Sequence, residues 1–164
     1  MKHKLHWKRG ALSTTYQIFE GEESLGQLQN SAFKQTSEGI INQKRFQFKT
    51  KGVFKQDTSI IDLDKQKEIG KITYNSWMSR ATIQLGERTV YWKYDSSWQT
   101  KWSFFNDRGI LMKFRGRLNK GSIEYEDNDD LLVLTGLFVT NYYQQAMIAI
   151  IVAVFIPIWV TLFN

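Results

Sequence analysis

Residues 146–163 read AMIAIIVAVFIPIWVTLF, an apolar run whose one polar side chain is Thr161. At about 1.5–3 kcal/mol for each large apolar side chain, leaving the run in water would forfeit on the order of 20–40 kcal/mol. The run must therefore be buried, either in a membrane or on all sides within its own domain. Every charged residue lies at or before Asp130, and none follows from Leu131 to Asn164.

Upstream the pattern changes to period two. Arg45-Phe46-Gln47-Phe48-Lys49, Ala81-Thr82-Ile83-Gln84-Leu85 and Thr89-Val90-Tyr91-Trp92-Lys93-Tyr94 alternate apolar and polar residues, as half-buried strands do. Turn residues recur at 20–23, 62–66, 86–87, 95–98, 106–109, 119–121 and 127–130. This punctuation predicts eleven or twelve short strands and no amphipathic helix before Asn141. Three stretches echo one another as hairpins. Tyr16-Gln17-Ile18-Phe19 leads into Leu25-Gly26-Gln27-Leu28, Ile60-Ile61-Asp62-Leu63 into Ile69-Gly70-Lys71-Ile72, and Trp102-Ser103-Phe104-Phe105 into Gly109-Ile110-Leu111-Met112. A glycine early in the second strand suits a bulge that curves the sheet, although any hairpin meander produces some echoes of this kind. Repeated curved hairpins favour closure into a barrel.

A barrel of about twelve strands is too wide for its own side chains to fill. An 18-residue helix is about 27 Å long, and strands of six to eight residues run about 20–26 Å. The expected fold is therefore all-β with one helix: a closed antiparallel barrel of about twelve strands around a hydrophobic C-terminal helix. The chain reads as a single domain over 1–164, with the barrel at 12–139 and the helix at 142–163. A plug formed by residues 146–163 is preferred over a tail anchor. The run is slightly short for a hydrocarbon core of about 30 Å, has no charge beyond it, and contains Pro157, which would kink it and free the carbonyl of Ala153. The small residues Ala146, Ala149 and Ala153 suit a close barrel wall or helix pairing in lipid. Tyr142, Tyr143 and Trp159 speak for the anchor, as aromatic belts at two membrane interfaces.

The hydrophobic–turn–[Leu/Ile]-Gly-x-[Leu/Ile] hairpins followed by one very hydrophobic terminal helix resemble the tubby C-terminal-like superfamily. That group comprises tubby domains, phospholipid scramblase-like proteins and LURP-one-related proteins. The resemblance spans residues 12–163 and rests more on the order of elements than on any motif. It implies a twelve-stranded barrel around a central helix and, for the tubby branch, phosphoinositide binding without catalysis. No tubby signature motif is present, so it assigns no ligand residue.

The chain has 164 residues, 22 lysines and arginines against 16 acidic residues, a net charge of +6 and no cysteine. The missing cysteine excludes disulfides, thiolate nucleophiles and cysteine-ligated metals. MKHKLHWKRG is basic but leads into no apolar signal segment, so residues 1–130 are expected in the cytoplasm, free, membrane-associated or held there by a C-terminal anchor. The leading candidate site is Lys113, Arg115 and Arg117, which alternate onto one face of a strand. Their charged groups suit anionic lipid headgroups or phosphate, and Gly116 would let a ligand approach the backbone. The plain alternative is a solvated outer wall. Lys44, Arg45, Lys49, Lys51 and Lys55 would extend the patch if they lay beside it.

No catalytic residue, cofactor or metal site is expected. Nucleophile elbow, phosphate loop, dinucleotide and zinc-protease motifs are missing, and both histidines lie within the first six residues. His3 and His6 have ligand spacing only on a helix. Asp127-Asn128-Asp129-Asp130 reads as a polar hairpin turn, because Leu132 and Phe138 occupy the glycine and glutamate positions of a calcium loop. Trp92, Trp98 and Trp102 interleave with Lys93 and Lys101, but half of such aromatics should face the core, so nucleic acid is not an expected partner. The expected function is a non-enzymatic binding module at the cytoplasmic membrane surface. The alternatives are a scramblase-like or tail-anchored membrane protein, or a barrel that binds another protein.

Overall fold

The computed structural model describes residues 2–31, 35–52, 56–117 and 119–162. Twelve strands precede one helix: β1 (His3–Arg9), β2 (Thr15–Glu20), β3 (Glu23–Asn30), β4 (Thr36–Ile41), β5 (Lys44–Lys51), β6 (Asp57–Asp62), β7 (Lys67–Tyr74), β8 (Arg80–Leu85), β9 (Arg88–Tyr94), β10 (Lys101–Asn106), β11 (Gly109–Arg117), β12 (Lys120–Tyr125) and α1 (Asp130–Leu162). Each strand pairs antiparallel with the next, and β1 pairs with β12 to close the barrel. The closed, helix-filled barrel expected from the sequence is the observed fold.

Three bulges shape it. They fall between Ile18/Phe19, Ile60/Ile61 and Phe104/Phe105, at matching places in the β2–β3, β6–β7 and β10–β11 hairpins. The unpaired residue is Leu25, Ile69 or Leu111, and all three pack on the core. The echoes in the sequence thus mark a device used every fourth strand. Gly26 and Gly70 follow the bulge, and a Cβ on Gly26 would lie 2.0 Å from the Ile40 carbonyl oxygen. In the third hairpin Met112, not Gly109, holds the equivalent place opposite Phe104.

The N-terminal segment, which lies before the expected start of the barrel at residue 12, forms β1. Leu5 and Trp7 are buried, and their period-two spacing completes the wall between β12 and β2. The barrel strands therefore run from residue 3 to residue 125, not 12 to 139.

The helix also begins earlier than expected, at Asp130. Asp127-Asn128-Asp129-Asp130 is no hairpin turn but the helix start. Asp129 Oδ1 accepts the Leu132 N–H at 3.1 Å, the N-cap arrangement that satisfies an orphan donor. Buried Asp130 accepts from Asn42 Nδ2 and Lys44 Nζ, both at 2.9 Å, pinning the helix to the β4–β5 turn. That bond holds the Lys44 ammonium above its ordinary pKa. Replacing Asp129 with Ala removes the cap and the 2.8 Å ion pair with Arg88 and should cost about 1–2 kcal/mol in a urea melt, whereas Asp129→Asn keeps the cap, loses the ion pair and should cost about 0.2–1 kcal/mol.

Leu132, Val133, Leu134, Leu137, Phe138 and Val139 fill the lumen. The hydroxyls of Thr135 and Thr140 donate to carbonyls one turn back, at 2.7 and 2.8 Å, and so need no other partner. Phe138 stacks on Phe48 with centroids 4.5 Å apart. At the far end Tyr142 stacks on Tyr74 at 4.0 Å, and the Tyr143 hydroxyl donates to the Arg80 carbonyl.

The preferred plug assignment is corrected here. Residues 131–143 occupy the lumen, and the apolar run from Ile148 to Thr161 does not. Strands of six to nine residues enclose only about 20–30 Å, which roughly fourteen helical residues already fill. From Ile148 to Thr161 every residue of α1 is exposed; Phe163 lies outside the described residues. The helix continues through Pro157, and the Thr161 hydroxyl lies within hydrogen-bonding distance of the carbonyls of Pro157 and Ile158.

Candidate functional site

The barrel has two unlike ends. Turns at 21–22, 42–43, 63–66, 86–87 and 107–108 close the end where α1 enters, termed the hairpin end. The connections that follow β1, β3, β5, β7, β9 and β11 start from the end where it leaves, termed the exit end.

Lys113, Arg115 and Arg117 lie on the outer face of β11, as alternation predicts, and all three are exposed. Their neighbours differ. Arg117 stands opposite Lys120, and Lys120 opposite Lys8, in one row across three strands. Arg115 stands beside Lys101 and, through Ser122, His6. Lys113 faces Glu124 on β12 and belongs to a separate hollow. The structure thus groups Arg115 and Arg117 with Lys8, Lys101 and Lys120 around a shallow hollow of about 500 Å³ near the exit end. Among the described residues none of Lys101, Arg115, Arg117 and Lys120 has a carboxylate within ion-pair distance. Like charges in adjacent rows repel, and a phosphate placed among them would relieve that repulsion.

Gly116 borders the hollow and also serves the core. A Cβ there would lie 2.4 Å from Trp7 Cζ2, so the glycine makes room for the indole inside the wall. The second basic stretch does not extend the patch. It sits on β5, separated from β1 by three strands, where Lys44 is bound to Asp130 and Arg45 to Asp64 at 2.8 Å; Lys55 lies outside the described residues. His3 and His6 cannot share an ion, because they point to opposite faces of a strand and His3 stacks on Tyr125. Trp92 and Trp102 are core residues and Trp98 is exposed.

Two features escaped the sequence reading. A crevice of about 570 Å³ opens where α1 leaves the barrel, lined by Ser37, Thr50, Asn141 and Gln145 within and by Ala149 and Val152 outside. Tyr142 and Tyr143, read as an interfacial belt, instead form a collar with Tyr74 that grips the helix at this mouth. The signal for both was the pair Gln144-Gln145, the last polar residues before the apolar run.

The projecting segment carries Ile148, Ile150, Ile151, Val152, Val154, Phe155, Ile156, Ile158, Trp159 and Val160 exposed. With each about half uncovered, its exposure to water costs on the order of 10 kcal/mol. By length and composition α1 qualifies as a helix able to cross a membrane. No protein-family model, curated protein or solved structure matches this chain.

Proposed function

We propose that this chain is a membrane-anchored, non-enzymatic binding barrel, in which one helix is both core and anchor. The observation that carries the reading is the division of α1 at Gln145: buried among barrel side chains before it, apolar and uncovered after it. In hydrocarbon the projecting half satisfies its backbone internally except at the Ala153 carbonyl facing Pro157, and Thr161 bonds back to its own helix. The basic hollow around Arg115 and Arg117 is the proposed site for an anionic lipid headgroup. The positive surplus beside the exit supports a cytoplasmic side for the barrel. The tubby-like resemblance supports the same reading, because it implies this barrel and helix and, for the tubby branch, phosphoinositide binding.

Two measurements test it. Alkaline carbonate should leave the full chain in the membrane pellet. The pair Ile151→Lys/Val154→Lys should move it to the supernatant, because each lysine costs about 2.5–3.5 kcal/mol near a bilayer centre. Both positions lie outside the barrel, so its near-ultraviolet signal should not change. Extraction of the unaltered chain would refute the anchor. For the hollow, Lys101→Gln/Arg115→Gln/Arg117→Gln should abolish the preference of the reconstituted protein for short-chain phosphatidylserine over phosphatidylcholine. An unchanged preference would refute the site.

A further inference from the structure

We infer that the exit end of the barrel is itself a membrane-contacting surface, with Leu12, Trp77 and Trp98 seated in the headgroup layer of the bilayer that α1 enters. Outside α1, these are the three most exposed large apolar side chains among the described residues, Trp77 at 87% and Trp98 at 88%. All three sit in connections at the exit end, and none at the hairpin end.

Two of these connections are built alike. In residues 75–80 the Asn75 Oδ1 accepts the N–H groups of Ser79 and Arg80, both at 3.0 Å. In residues 96–101 the Ser96 Oγ accepts those of Thr100 and Lys101, at 3.1 and 3.2 Å. A backbone bond returns from Met78 to Asn75 and from Gln99 to Ser96. Met78 and Gln99 both adopt positive φ, 51° and 54°. The third residue is tryptophan in each, pointing out, and the sixth is basic, opening the next strand. Tyr143 ties the first of these loops to α1 through the Arg80 carbonyl. At 10–14 a bond from Ser13 N–H to the Gly10 carbonyl likewise leaves Leu12 third and outermost.

Shaped loops that hold indoles in water forgo burial, whereas indoles at a membrane interface keep the ring in the apolar boundary and the N–H wet. Charge fits the same partner. Within two strand residues of the exit connections, the acidic groups among the described residues are Asp57 and Asp95 alone. Asp57 is paired with Lys71, and Asp95 accepts from Ser103. Lys8, Lys51, Arg80, Lys101, Arg117 and Lys120 lie in that band and would meet anionic headgroups. The chain allows no slack, since α1 runs unbroken from the Tyr143 collar to exposed Ile148, little more than one helical turn of about 5.4 Å. Given the anchor proposed above, the exit end must lie at the hydrocarbon boundary.

Because the chain has no cysteine, single labels are direct to place. The full chain, as Leu12→Cys, Trp77→Cys, Trp98→Cys or Ile110→Cys, is labelled with an environment-sensitive fluorophore. It is then reconstituted in phosphatidylcholine–phosphatidylserine vesicles containing a lipid with a shallow doxyl quencher. Labels at 12, 77 and 98 should lose most of their emission, and the label at 110, at the hairpin end, should keep its own. Unquenched labels on a chain that resists carbonate would overturn this surface and leave the anchor standing. Unquenched labels on a chain that carbonate extracts would overturn both. Equal quenching at 110 would also overturn it, since the barrel would then lie on its side.

Discussion

Deleting α1 from Asp130 onward should leave no folded barrel. The lumen would lose Leu132, Val133, Leu134, Leu137, Phe138, Val139 and Tyr143, all buried. At about 1.5–3 kcal/mol per side chain, that forfeits on the order of 10–20 kcal/mol, against a total stability of about 5–15 kcal/mol for a domain. No rearrangement of wall side chains fills a void of this width. The expected observation is loss of the near-ultraviolet circular dichroism and of any cooperative melt, with aggregation. A cooperative transition in the helix-free chain would show that the wall stands alone.

The second large effect is at Gly136, where the Phe114 side chain of the wall reaches the helix backbone. A Cβ there would lie 2.2 Å from Phe114 Cζ, so the phenyl ring occupies the space of the missing side chain. The ring has no room to retreat, because it is buried, stacked on Trp102 at 5.6 Å and set edge-on to Phe104 at 6.0 Å. Gly136→Leu gains about 1 kcal/mol in helix propensity, but overpacking a rigid site costs about 3 kcal/mol or more. The clash wins. Urea denaturation should show a net loss of at least about 2 kcal/mol. Adding Phe114→Ala should restore part of it, giving a favourable coupling energy in the double-mutant cycle. Equal or greater stability for Gly136→Leu would contradict the packing described.

Much of the wall was legible because alternation and turns are local signals. The bulged hairpins could be read from Leu25-Gly26 and Ile69-Gly70, and the width they imply required something in the lumen. The identity of the plug was not legible. Leu131 to Val139 is apolar on every side because a barrel surrounds it, and such a run carries no period to separate helix from strand. Strand β1 was obscured by its charges: the inward pair is only Leu5 and Trp7, between lysines and histidines that face water.

At the basic site, alternation placed Lys113, Arg115 and Arg117 on one face. Only cross-strand register reveals that Glu124 faces Lys113, while Lys101, Lys120 and Lys8 join the other two. The second use of Gly116 was hidden for a related reason. A glycine next to arginines reads as an opening for a ligand, and it also makes room for Trp7, more than a hundred residues away in sequence. The exposed Trp77 and Trp98 needed the topology, because nothing local says that both loops lie at the end where the helix leaves.

The central claim is that α1 changes environment at Gln145, and truncation after that residue tests it most directly. The shortened chain keeps the N-cap, the lumen residues and the tyrosine collar, and loses only the segment that touches no core. It should be recovered from the aqueous fraction without detergent, absent from the carbonate pellet, with the near-ultraviolet spectrum and cooperative melt of the full chain. An insoluble or molten product would place residues 146–162 in the core and contradict the division of the helix into plug and anchor.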